Sequence, residues 1–220
     1  MDKLPFDAYD FFGYISSGLL VVLGMNVVLG FPPVLGRDLK PFETACLILF
    51  VYIAGQIVAG PAKAVLEDAF VCRILGRPAH NLLRERPSRL RFLFPGYFKQ
   101  LPKAVREKVA SRLGASAAMK EDDAQFLIVR FSPEVTGNDR LLARLNSFRD
   151  KYGFNRNLSF TAFVVSIALV AKHVTTGDAL TLKWGITGLV GSVLLFYRYL
   201  KFFRQYSYEL FNTYAGKDYP

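Results

Sequence analysis

The chain has 220 residues, 52% of them hydrophobic, and a formal net charge of +10. Its two cysteines, Cys46 and Cys72, exclude a disulfide framework and a cysteine-rich metal site. Because the apolar residues stand in long uncharged blocks instead of following a helical or strand period, the composition argues against an ordinary soluble domain. The alternative interpretation of these blocks is a buried helical bundle in a soluble protein.

Four apolar blocks predict membrane-spanning helices, since about 20 helical residues cross the hydrocarbon of a bilayer. The first block, 11–31, has no charged residue, and the second, 42–62, has only Glu43 near its start. The third block is the shortest, at 158–171, and the fourth covers 182–200. Acidic residues precede the first block, which is not typical of a cleaved signal peptide.

Short, turn-like segments separate the first block from the second and the third from the fourth, so each pair is expected to form a helical hairpin. The fold class predicted is therefore an all-α membrane protein with two hairpins and a small, mainly helical insert. The predicted parts are a first hairpin over 1–64, an insert over 65–157, and a second hairpin with an aromatic and basic C-terminal helix over 158–220.

The distribution of positive charge predicts the orientation of these parts. Residues 67–157 contain 18 lysines and arginines, and four more lie at or after the end of the last block, whereas the two short connections hold only four. Positive charge near the ends of spans marks the cytoplasmic face. We therefore expect a multi-pass membrane protein whose insert and two termini are cytoplasmic.

Helical periodicity is visible in the insert and beyond the last span. The segments "LPKAVREKVASRLG" and "NDRLLARLNSFRDKYGF" each predict an amphipathic helix, with Val105, Val109 and Leu113 on one stripe of the former. The segment "AQFLIVRFSPEV" fits either a short strand or a buried helical turn. An unbroken last helix over 182–213 would be about 48 Å long and would carry its aromatic stripe well past the membrane.

No enzyme signature is present, so we predict no enzymatic activity, no catalytic residue, no cofactor and no metal site. Arg73 and His80 have the spacing of the motif of HEPN ribonucleases, but Ile74 and Pro78 do not fit that motif, and the pair is better interpreted as two surface residues. The stretch "RERPSRLRFLFPGYFK" mixes basic and aromatic residues and leaves nucleic acid as a minor candidate partner. Anionic lipid is the simpler partner for a cationic face beside a membrane.

The second and fourth spans contain the features typical of packed or gated membrane helices. Small residues let helix backbones approach closely, and polar side chains bind across helices. A proline inside a span removes one hydrogen-bond donor and favours a bend, which would make a gate. The candidate pore or gate residues are Ser17, Asn26, Gln56 and Pro61, and the candidate packing residues are Gly55, Ala59, Gly60, Gly185, Gly188 and Ser192.

Four phrases, "FDAYDFFGYISSG", "GQIVAGPAKAVLED", "RDKYGFNRNLSF" and "YRYLKFFRQYSYELF", resemble a loose group of bacterial inner-membrane proteins found beside anti-phage defence genes. The resemblance implies membrane hairpins, a small cytoplasmic helical part, and an effector that permeabilises or depolarises the membrane when triggered. It implies a homo-oligomer in membrane lipid, with a cytosolic protein or a small signalling ligand as the trigger. The alternative hypothesis is a non-conducting membrane anchor or scaffold that docks a cytosolic enzyme.

Overall fold

The computed structural model describes residues 8–30, 39–84, 89–114 and 122–216, and no β-strand occurs within these ranges. The alternative of a short strand for "AQFLIVRFSPEV" is therefore wrong, since this segment is helical from Asp122 to Arg130. In chain order the helices are α1 (Ala8–Leu29), α2 (Pro41–Ala62), a π-helix (Lys63–Leu75), α3 (Pro78–Leu83), a 3₁₀ turn (Arg89–Arg91), α4 (Lys103–Leu113), α5 (Asp122–Arg130), α6 (Pro133–Thr136), α7 (Asp139–Thr176) and α8 (Ala179–Tyr214).

Four helical stretches are long and apolar enough to cross a membrane: Phe11–Leu29, Pro41–Leu83, Asp139–Thr176 and Ala179–Tyr214. This confirms the prediction of a helical protein with four candidate spans. The arrangement of these spans as two membrane hairpins, and the side of the membrane on which the polar insert lies, stay predictions.

The last two long helices extend well beyond the apolar blocks. Helix α8 is unbroken over 36 residues, as the sequence predicts for a continuous last helix. Helix α7 has 38 residues and joins the predicted insert helix "NDRLLARLNSFRDKYGF" to the third apolar block without a break. The junction contains Gly153 but no proline, and one internal glycine lowers helix stability by only about 1 kcal/mol relative to alanine.

The chain forms two compact units, which we call the first unit and the second unit. The first comprises Met1–Ala69 with Gly153–Tyr199, and the second comprises Phe70–Tyr152 with Leu200–Pro220. The boundaries predicted from sequence, 64/65 and 157/158, lie five residues away from the nearest of these divisions, and the domain assignment stays a prediction. The units also divide α8, so the second unit includes the end of that helix.

Small residues bring the helix backbones of the first unit together. A Cβ atom added to Gly18 would overlap the carbonyl oxygen of Val51, and one added to Gly55 would overlap that of Tyr14. Helix α1 therefore packs on α2 at backbone distance. Glycines on α8 do the same against α7, where a Cβ atom on Gly188 would overlap the hydroxyl of Ser166.

The second unit has a conventional apolar core. Helix α4 contributes Val105, Val109 and Leu113, which are 1–7% exposed and form the stripe that the sequence predicts. The other elements add aliphatic and aromatic side chains to the same cluster, namely Ala79, Leu82, Leu101, Val129, Val135, Leu141, Leu145, Leu210, Phe211, Tyr214 and Ala215. Removal of these side chains from water stabilises the unit by about 25 cal/mol for each Å² of apolar surface.

Candidate functional site at the π-helical end of the second span

The second candidate span changes its helical type directly after Pro61. Proline has no backbone N–H, so the carbonyl group of Ile57 loses its usual partner. The helix nevertheless continues, with the N–H of Lys63 donating to the carbonyl oxygens of Ala59 and Gly60. From Lys63 the backbone is π-helical for 13 residues. Such segments are rare, usually a single turn long, and frequent at functional sites.

A partly buried ion pair lies near the start of this π-helix. Arg156 of α7 donates from Nη1 to Oε2 of Glu67 at 2.5 Å, and the two side chains are only 12% and 13% exposed. The other two guanidinium nitrogens also have a partner, since Nε and Nη2 donate to Oδ1 of Asn157 at 3.2 and 3.1 Å. A charge-assisted contact of this length in a desolvated site is strong but depends on both partners, because either charge alone would be buried without compensation.

Side chains of the second unit bind the last carbonyl group of the π-helix and the carbonyl group directly after it. Asn81 is 1% exposed, and its Nδ2 donates to the carbonyl oxygens of Leu75 and Gly76 at 3.1 and 3.3 Å. The hydroxyl of Tyr97 donates to Gly76 at 2.7 Å. Gly76 has a φ of 79°, a left-handed conformation that ends the helix and favours glycine. The π-helix is thus fixed at Glu67 near one end and at Leu75–Gly76 at the other.

The four pore or gate candidates lie in different surroundings. Ser17 is fully buried, and its hydroxyl lies at hydrogen-bond distance from the carbonyl oxygens of Gly13 and Tyr14 in its own helix. Gln56 is exposed, and its Nε2 donates to the hydroxyl of Tyr52 one turn earlier. Asn26 is half-buried in α1, and Pro61 is exposed where α2 ends.

The six packing candidates divide into two groups. Gly55, Gly185, Gly188 and Ser192 lie in close contacts between helices of the same chain. Gly60 is exposed, and a Cβ atom added to it would meet nothing within 4 Å, while Ala59 is half-buried. The two glycines of α2 therefore differ, because Gly55 lies against the backbone of α1 whereas Gly60 faces open space.

Reciprocal serine contacts join α7 and α8; Ser192 was among the predicted packing residues, whereas its partner Ser159 was not. The hydroxyl of Ser159 donates to the carbonyl oxygen of Ser192 at 2.9 Å, and the hydroxyl of Ser192 donates to the carbonyl oxygen of Ser159 at 2.8 Å. The Glu67–Arg156 pair was also missed. Its only trace in the sequence is that two spans each carry a charge just beyond their apolar block, and that the two charges have opposite signs.

The described part of the chain contains no group of three histidine, cysteine, aspartate or glutamate residues that could hold a metal ion. Comparisons with family models, with characterised proteins and with solved structures give no match to this chain. The function must therefore be inferred from the geometry of the π-helical segment, the packing of the spans and the pattern of the sequence.

Proposed function

We propose that this protein is an oligomeric effector of a bacterial anti-phage defence system. In this proposal the four spans form two hairpins in the inner membrane, and the insert and both termini are cytoplasmic. A cytosolic protein or a small signalling ligand reaches the insert, and the protein then perturbs membrane integrity or membrane potential. The defence role is supported by the resemblance of the four phrases quoted above, and the orientation by the distribution of positive charge.

The observation that carries the mechanism is the Glu67–Arg156 pair on a π-helical segment. A switch requires an element with two discrete arrangements and a contact that biases it toward one of them. The π-helix has i→i+5 hydrogen bonds, so its conversion to i→i+4 bonds would narrow and lengthen the segment. The pair with Arg156 opposes this change, because movement of Glu67 would leave a buried charge without its partner.

Assembly is supported by an outward stripe on α2. Leu49, Ile53, Gln56 and Gly60 are exposed at helical spacing, and Gly60 has open space around it. A small residue beside an amide is a typical contact between helices in lipid, where a polar side chain is stabilised by a partner. Copies that meet along this stripe would bring their Gln56 side chains near a common axis and give that axis a polar lining.

The alternative function, a non-conducting anchor that docks a cytosolic enzyme, is favoured by a different observation. Buried hydroxyl groups of the first unit bind backbone carbonyl groups, as at Ser17, Thr161 and the Ser159–Ser192 contact. Ser17 and Thr161 bond to carbonyl groups of their own helices, and the two serines bond between α7 and α8, so all of these hydroxyl groups have partners within one chain. A membrane anchor needs such packing but needs neither a polar axis nor a switch.

Membrane potential in cells separates the two functions. We expect Arg156→Gln and Glu67→Gln to depolarise cells without a trigger, because each leaves an uncompensated charge that releases the π-helix. The double variant Glu67→Arg with Arg156→Glu restores opposite charges and should behave like the wild type. Lys103→Gln is the matched control, since Lys103 and Glu107 form an ion pair that is 82% and 67% exposed and contributes little.

A voltage-sensitive dye reports the potential, and the amount of each variant in the membrane fraction is measured in parallel. If both single variants reach the membrane at wild-type level and the potential stays intact, the effector function is wrong and the anchor takes its place.

A further inference from the structure

An apolar groove lies on the first unit between α1 and α7. Its volume is about 300 Å³, which is at the lower end of the range for ligand pockets. Six of its lining side chains are Val21, Met25, Val28, Val58, Val164 and Ala168, and Val58 is the contribution of α2. The one hydroxyl in the lining belongs to Thr161, and it is occupied because it donates to the carbonyl oxygen of Asn157 at 2.9 Å.

The length of the groove fits one leaflet of a bilayer. On α7 it extends from Phe160 to Ala168, which is about 12 Å at 1.5 Å per residue. Half of a hydrocarbon core of roughly 30 Å is about 15 Å. A groove of this length within a span therefore follows most of one acyl chain.

A lysine lies beyond one end of the groove. Lys172 is one turn after Ala168 on α7, about 6 Å farther along the helix axis. Its Nζ donates to the carbonyl oxygen of Val27 on α1, which fixes the ammonium group beside the groove residue Val28. An ammonium group has three donors, so two are left for another acceptor. Along the helix axis, the ammonium group therefore lies beyond the end of the groove, as a lipid headgroup lies beyond the end of its acyl chain.

We propose that this groove binds one acyl chain of a phospholipid and that Lys172 binds the phosphate group of the same molecule. The inference rests on the proposed membrane insertion and is independent of the defence role. A helix from a second copy fits the groove less well, because a helix is about 10 Å wide with its side chains and packs in lipid against small residues. The groove walls are valine and methionine side chains, and a single hydrocarbon chain needs no glycine.

The test measures retained lipid by native mass spectrometry of the full chain in a mild detergent. Two probes with the same acyl chains are compared: dioleoyl phosphatidylglycerol, which has a phosphate group, and dioleoylglycerol, which has none. We expect wild type to retain the phospholipid about tenfold better, the ratio that ~1.4 kcal/mol gives. Lys172→Gln should remove this preference, and Ala168→Phe should reduce retention of both lipids because its ring fills the groove.

Ile167→Phe is the matched control, since Ile167 is the neighbouring residue, is 48% exposed and does not line the groove. It should retain lipid like the wild type. Equal retention by Ala168→Phe and wild type would overturn the proposal, as would an unchanged preference in Lys172→Gln. A change in oligomer mass in Ala168→Phe with unchanged lipid retention would also overturn it and assign the groove to a second copy.

A tryptophan reporter keeps the proposal testable if Ala168→Phe folds poorly. Trp184 is the only tryptophan, so Trp184→Phe combined with Met25→Trp places a single indole in the groove. Phosphatidylglycerol with brominated acyl chains should still quench this indole after dilution into unlabelled lipid micelles. The comparison is the wild-type chain, in which Trp184 is the indole that is quenched. If quenching of the Met25→Trp indole is lost as fast as quenching of Trp184, the groove holds no bound lipid.

Discussion

The two units of this protein differ in how their buried and exposed side chains are arranged. In the first unit the hydroxyl-bearing residues Ser17, Ser159 and Ser192 are 0–5% exposed, while Ile57 and Leu194 are 68% and 65% exposed. In the second unit fourteen buried aliphatic and aromatic side chains form one cluster, beside buried polar residues such as Asn81 and Asn212. Lipid provides no hydrophobic force between helices, so small residues and polar contacts hold a unit in lipid together, whereas water favours an apolar core. The difference is the one expected if lipid surrounds the first unit and water the second.

The most damaging change in this comparison is expected in the apolar core. Leu145 on α7 is 1% exposed in the second unit, and Leu194 on α8 is 65% exposed in the first. Leu145→Ala should lower the free energy of unfolding by about 2–5 kcal/mol, because it leaves a cavity. Leu194→Ala removes the same atoms from a surface that lipid or detergent covers. Thermal unfolding of both variants in detergent should show a large decrease in unfolding temperature only for Leu145→Ala. Equal decreases would contradict the idea that lipid surrounds the first unit and water the second.

A smaller effect is expected where the first unit relies on glycine. Gly188→Leu should destabilise the chain by about 1–3 kcal/mol, since its Cβ atom would overlap the Ser166 hydroxyl. Gly191→Leu, three residues later, should be tolerated because its Cβ atom would meet nothing within 4 Å.

A different glycine is expected to matter for assembly. Because Gly188 packs within the chain and Gly60 has open space around it, Gly60→Leu is the variant expected to weaken the oligomer. Unfolding temperature and oligomer mass measured together would separate the two effects, and a monomeric wild type would exclude the assembly surface.

The smallest effect is expected at the reciprocal serine contact. Ser159→Ala removes one of the two hydrogen bonds between α7 and α8, and such contacts in lipid average about 0.6 kcal/mol. Ser111→Ala is the control, because the Ser111 hydroxyl is exposed and bonds only within α4. A double-mutant cycle with Ser192→Ala would measure the coupling between the two serines. A coupling energy of zero would mean that the serines pack as small residues and do not hold the helices as a polar pair.

The sequence predicted the parts of the structure that follow from composition along one segment. Long uncharged blocks gave the four candidate spans, and the absence of helix breakers gave the continuous α8. The contacts between segments could not be predicted from the sequence. Glu67 and Arg156 are 89 positions apart, and nothing local indicates that two charges beyond separate spans meet. The same holds for Gly55 and Gly60, since only the neighbouring helix decides which glycine is covered.

The change from an α-helix to a π-helix after Pro61 was predicted only as a bend. Proline removes one hydrogen bond, and this local effect is visible in the sequence. The π-helix extends for 13 residues, and Asn81 and Tyr97 bind the carbonyl groups of Leu75 and Gly76 from elsewhere in the chain. These contacts involve residues outside 61–75, so they could not be predicted from that segment alone.

The proposed release of the π-helix is tested most directly in liposomes that contain the purified protein. The measurement is the discharge of a potassium diffusion potential across their membrane. The liposomes contain wild type, Arg156→Gln or the charge-reversed double variant at equal protein density, and a dye records the potential over time. We predict that Arg156→Gln discharges the potential, whereas wild type without a trigger and the double variant hold it. A potential held equally by all three proteins would contradict a membrane-perturbing switch at Glu67 and Arg156.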